Sequence, residues 1–84
     1  MKGSIYDGQR LVAGGVNVLL KEDVGGSWRG EIDADVALFI NCQYRLELED
    51  GRSGRIVITR QPMLVGSRRV GTDLFAFEGK DPLR

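Results

Sequence analysis

Between Gln43 and Arg60, apolar and charged residues alternate with a period of two. Tyr44, Leu46 and Leu48 fall on one face and Arg45, Glu47 and Glu49 on the other. After Asp50-Gly51, a β-branched run resumes with Ile56, Ile58 and Thr59. This alternation marks a half-buried strand, and Asp-Gly tolerates the positive φ that tight hairpin turns require. The segment predicts an antiparallel hairpin with one apolar and one charged face.

The register is restricted by the rule that directly opposed residues share a face. A plain two-residue loop at Asp50-Gly51 would set Leu46 against Arg55 and mix the faces. A three-residue loop over residues 50–52 sets Leu46 against Ile56, with Glu47 meeting Arg55. A loop over residues 51–53 sets Leu48 against Ile56, with Glu49 meeting Arg55. A two-residue turn with a bulge at Gly54 also keeps the stripe. The three-residue forms are preferred, because such loops commonly hold a glycine in the left-handed region. An exposed Glu–Arg pair across the strands would contribute only about 0.2–1 kcal/mol.

The same pattern recurs elsewhere. Gly3-Ser4-Ile5-Tyr6 predicts a first strand before an Asp7-Gly8 turn, and Arg10 to Leu20 a second, bent or bulged at Gly14-Gly15. Trp28 and Ile32 share a face of a third strand, with Gly30 between them under a neighbouring side chain. Asp33-Ala34-Asp35 breaks the alternation. The run Val36-Ala37-Leu38-Phe39-Ile40 is ambiguous between strand and a short helix, with strand or irregular structure preferred. Pro62 excludes residues 61–67 from a central ladder, so Met63-Leu64-Val65 is expected to tuck into the core or to form a contact surface. Arg69 to Phe77 predicts a last strand with apolar residues on both faces, and residues 79–84 a tail. Together these give an all-β fold: a small antiparallel β-barrel, meander-like, of about six or seven short strands with little or no helix.

The length of 84 residues fits a single domain spanning 1–84 with one core and little room for a deep active site. Formal net charge is zero, so no global attraction to nucleic acid or membrane follows. The distribution is uneven. Residues 22–50 are mostly acidic, whereas residues 51–72 carry Arg52, Arg55, Arg60, Arg68 and Arg69 with no acid before Asp73. Such runs either pair across strands or form a basic patch for phosphate or an acidic partner. The lone Cys42 excludes an internal disulfide and is expected to be a buried thiol. No apolar stretch is long enough for a signal core or a spanning helix, so a cytoplasmic setting without membrane is expected.

The chain contains no histidine, which removes the commonest general base, the Ser-His and Cys-His nucleophile systems and the common zinc arrangements. Asp33 and Asp35 have a spacing that could present two carboxylates on one strand face, but Asp-Ala-Asp more often marks a turn. Gly14-Gly15 and Gly25-Gly26 lack the context of a phosphate-cradling loop. The expectation is therefore no enzyme, no cofactor and no metal.

Binding remains. The leading expectation is a protein-interaction or assembly module, through a protein partner or self-association. Its surface would combine Met63, Leu64, Arg68, Arg69 and the outward face near Phe75. The alternative is a nucleic-acid-binding barrel using Arg52, Arg55 and Arg60, with Tyr44 or Trp28 as a stacking platform. A further alternative is a cyclic-dinucleotide receptor similar to the PilZ family, whose signature is Arg-x-x-x-Arg followed by Asp/Asn-x-Ser-x-x-Gly. Asp23, Ser27 and Gly30 approach the second half with one residue too many between Asp and Ser. No Arg-x-x-x-Arg precedes them, so no binding role is carried over.

Overall fold

Alternation along the strands becomes an inside and an outside. The computed structural model describes residues 1–62, 64–65, 68–69 and 74–84, with the side chains of residues 64, 65, 68 and 69 outside that description. Its strands are β1 (Lys2–Asp7), β2 (Arg10–Glu22), β3 (Trp28–Asp33), β4 (Gln43–Leu48), β5 (Ser53–Arg60), β6 (Leu64–Val65), β7 (Arg68–Arg69) and β8 (Phe75–Gly79). No helix occurs among the described residues. Six strands close into an antiparallel barrel in the order β1-β2-β3-β8-β5-β4, while β6 and β7 form a separate two-stranded ribbon.

The connectivity departs from a simple meander. β1, β2 and β3 follow one another, but β4 pairs with β1 rather than β3, and β8 fills the gap between β3 and β5. The cause is residues 34–42, which carry the chain away from β3 instead of turning tightly. Ala34 and Leu38 sink into the core. The segment is held by hydrogen bonds to β4, β5 and Gln61: Phe39 N–H donates to Tyr44 Oη at 3.0 Å, Asn41 N–H to the Ile58 carbonyl at 2.9 Å, Ile58 N–H to the Cys42 carbonyl at 3.4 Å, and Gln61 Nε2 to the Leu38 carbonyl at 2.9 Å. It is irregular, as one of its two sequence readings expected. Cys42 is exposed, which corrects the expectation of a buried thiol. It stands before β4, directly after the left-handed turn at Asn41 (φ 66°), and so lies off the barrel wall.

The β4–β5 hairpin keeps the predicted faces in a different register. Tyr44 opposes Ile56, Leu46 opposes Gly54, and Glu47 opposes Ser53. The loop is three residues, Glu49-Asp50-Gly51, closed by Leu48 N–H on the Arg52 carbonyl at 2.8 Å and Gly51 N–H on the Leu48 carbonyl at 3.0 Å. Its last position takes φ 91°, which only Gly51 supplies cheaply. The expected Glu47–Arg55 and Glu49–Arg55 pairs are therefore absent from the ladder, and Arg55 faces Arg45.

The core joins Ile5, Val18, Ile32, Leu38, Leu46, Ile56, Ile58 and Phe77, all nearly inaccessible to solvent. Gly30 lies under the Phe77 ring, as the alternation of Trp28 and Ile32 suggested. Trp28 meets Phe77 edge to face, with ring centroids 5.8 Å apart, and its indole covers Gly54 and Gly79. Its Nε1 donates to the Asp81 carbonyl at 2.5 Å. Residues 80–84 are thus a strap rather than a free tail. Lys80 N–H donates to the Arg55 carbonyl at 2.8 Å, and Arg84 exchanges both backbone hydrogen bonds with Ser53.

Candidate interaction surfaces

The last strand begins at Phe75 rather than Arg69, and Phe75 and Phe77 point inward. Phe75 is 4% exposed, so it belongs to the core and not to an outward contact face, a correction of the expected site. Strand parity explains it. Ala76 and Glu78 alternate with the two rings, and the outer position at Ala76 is covered from both sides. Glu31 on β3 and Arg60 on β5 both oppose Ala76 in register. Their side chains meet at 3.0 Å over its small methyl group. Of the expected outward apolar face of Leu74 and Ala76, Leu74 lies before the strand and is half-buried, and Ala76 is half-buried between Glu31 and Arg60. Met63 lies outside the described residues. Leu64, Arg68 and Arg69 are placed only as backbone, Leu64 opposing Arg69 in the ribbon.

Among the described side chains, Arg52, Arg55 and Arg60 do not assemble into one groove. Arg52 sits at the hairpin end, bonded to Asp50 at 2.9 Å and to Glu22 at 2.6 Å. Arg55 is held in bidentate fashion by Asp81 of the strap, Nε and Nη2 to the two carboxylate oxygens at 2.6 and 2.7 Å. Arg60 is drawn to Glu31 beyond the bulge that follows Ile58. Each arginine of the alternative patch thus has its own carboxylate. Asp81 is held below the ordinary carboxylate value, first by the side-chain hydrogen bonds from Arg55. Asp50 is held below it first by the backbone N–H of Arg52. Both proposed stacking platforms are core residues, Trp28 at 4% and Tyr44 at 7% exposure.

Asp23 and Ser27 close the β2–β3 hairpin, with Asp23 N–H on the Ser27 carbonyl at 2.7 Å, while Gly30 faces the core. Asp33 ends β3 and Asp35 lies in the bend beyond it. Among the described residues no group of His, Cys, Asp and Glu side chains is arranged to hold a metal ion.

Sequence reasoning missed two features. Phe39 and Ile40 are 58% and 45% exposed side by side, in the segment whose neighbour Leu38 is fully buried. Arg45 lies over the Tyr6 ring, 4.7 Å from its centroid, because β1 and β4 put these residues opposite each other. The first had a signal: an unbroken apolar run cannot bury every member once a turn follows it at Asn41-Cys42. The second depends on barrel closure and had none.

These features define a small closed antiparallel β-barrel with exposed apolar side chains at Phe39-Ile40, at Val24 in the β2–β3 loop and at Leu11 and Leu19 on β2, and with ion pairs around its wall. No protein-family model, curated protein or solved structure matches the chain.

Proposed function

We propose that the protein is a non-catalytic binding or assembly module whose partner is protein, either another chain or a second copy of itself. The observation that carries this reading is the exposed Phe39-Ile40 pair on a loop held at its backbone by Tyr44, Ile58 and Gln61. Adjacent exposed aromatic and aliphatic side chains on a braced loop suit a protein contact, since little conformational freedom is lost on docking. Gln61 bonds to this loop and precedes in the chain the connection bearing Met63, Leu64, Arg68 and Arg69, to which we extend the proposed surface. Arg52, Arg55 and Arg60 pair with carboxylates at separate places and give no continuous track for a nucleic-acid backbone, which supports this reading over nucleic acid. A free, accessible Cys42 beside the loop suits a reducing compartment such as the cytoplasm.

The test is sedimentation over a concentration series, combined with crosslinking from position 39. Phe39→Asp and Leu64→Asp should each weaken association at unchanged thermal stability, and raised salt should weaken it little. Association that survives both substitutions, or that collapses with salt and is released by nuclease, would refute the reading.

A further inference from the structure

The hairpin register sets Arg45 directly opposite Arg55 on the outer wall of β4 and β5. Like charges at directly opposed positions destabilise a sheet. Both side chains are about half exposed and neither serves the core. The strap brings a third guanidinium to the same place, because Arg84 is bonded through its backbone to Ser53. Arg45, Arg55 and Arg84 line an open cleft of about 410 Å³ together with Ser53, Gly54 and Asp81. Three arginines therefore line one cleft, two of them engaged by carboxylates, Arg45 by Glu47 and Arg55 by Asp81. Asp81 already gives both oxygens to Arg55, and Glu47 at the margin takes Arg45 Nη2 at 3.2 Å. The Tyr6 ring lies against the Arg45 guanidinium, 4.7 Å from Cζ to the ring centroid, a contact that uses the face of the fork rather than its N–H edge.

The geometry points to an oxyanion site in this cleft, in which Arg45, Arg55, Arg84 and the Ser53 hydroxyl receive the phosphate group of a small phosphate monoester. A dianionic tetrahedral group offers several strong acceptor oxygens, which match planar two-donor forks better than a single carboxylate does. The cleft, about 410 Å³ and open to solvent, leaves room beside the phosphate for a small organic group. Asp81 and Glu47 act as internal competitors that hold the arginines when the site is empty of ligand. Local rules of charge pairing are broken here, as expected where a site is built at some cost to stability. The site lies on the hairpin wall and is independent of the Phe39-Ile40 surface.

The internal competition gives the test a sign. Arginine Nε–H and backbone N–H resonances are followed during titration with inorganic phosphate and with glycerol 3-phosphate, at low constant ionic strength, with acetate as control. Saturable shifts are expected at Arg45, Ser53, Gly54 and Arg55, with acetate much weaker. Arg45→Gln should weaken binding by about tenfold or more, equivalent to about 1.4 kcal/mol. Glu47→Gln and Asp81→Asn should tighten it. A merely structural role for these acids predicts no tightening. Asp81→Asn also loosens the strap, so Glu47→Gln, which leaves the strap intact, decides if the two disagree. Unsaturable shifts of equal size with all anions, or Glu47→Gln binding no tighter than the wild type, would overturn the site. Tighter binding of the monoester than of inorganic phosphate assigns the ligand class, while preference for inorganic phosphate overturns the monoester assignment.

Discussion

At the scale of single residues, glycine positions decide where large rings fit. Trp28 lies against Gly79 and Gly54, residues far along the chain, and no side chain can be added at Gly79 without entering the indole. Gly79→Ala should therefore destabilise the fold by about 1–3 kcal/mol, the usual cost of overpacking. A denaturant titration followed by the emission of the single tryptophan measures it. Gly25→Ala should not displace a packed ring, since space around that position is open, although its φ of 95° carries its own cost. The cover over Gly30 could be read from the sequence, because Trp28, Gly30 and Ile32 share a face. The cover over Gly54 and Gly79 could not, because it needs the β5–β8 pairing. Phe75 shows a different limit. The sequence pattern separates Phe75 and Phe77 from Leu74 and Ala76, yet both sets are apolar, and only the Glu31–Arg60 pair over Ala76 identifies the outer one.

At the scale of elements, hairpin faces are a matter of parity, whereas register is a matter of the turn. Moving the pairing by a whole side-chain period keeps Tyr44, Leu46 and Leu48 on the inside. The alternation therefore could not choose among such registers. Gly51 chooses, because the third loop position needs positive φ. Gly51→Ala should cost about 1–2 kcal/mol, the price of a left-handed alanine, with the m-value unchanged. A larger loss accompanied by altered cross-strand NOEs between Tyr44 and Ile56 would mean that the register itself had moved. The Gly14-Gly15 bend was legible for the same reason, and Gly15 has φ 63°. Residues 34–42 were ambiguous because their conformation is set by Tyr44, Ile58 and Gln61, bonds that no local pattern encodes.

At the scale of the whole molecule, acids and arginines that are segregated along the chain are brought together by the fold. Arg52 finds Glu22, Arg60 finds Glu31 and Arg55 finds Asp81, each partner from another part of the chain. Arg52, Arg55 and Arg60, neighbours in the sequence, thus become separated ion pairs, while the cleft at Arg45, Arg55 and Arg84 draws its arginines from three segments. That is why the first grouping was visible in the sequence and the second was not. The pairs also set a pH response. Asp50 and Asp81 have native pKa values below the ordinary 3.8, so their contribution is complete above that value and vanishes as pH falls through the lowered ones. Thermal stability should therefore be insensitive to these groups above about pH 5 and decline below about pH 4. In Asp81→Asn the plateau should drop and the acid decline become shallower, which melts across a pH series would reveal. The change should be small, because both carboxylates are exposed.

The placement of β8 between β3 and β5 also bears on the order in which the chain can be completed. β1 to β5 can already hold three ladders, β1–β2, β2–β3 and β4–β5, and the contact between β1 and β4, but they leave β3 and β5 with unpaired margins. The strand that seals those margins is the last of the barrel strands in the chain, and its inner face carries Phe75 and Phe77. A molecule that ends before Phe75 is therefore an open sheet with two unpaired borders and a core lacking both rings. Completion of the barrel is a late, single event, and protection from aggregation arrives with it rather than building up along the way.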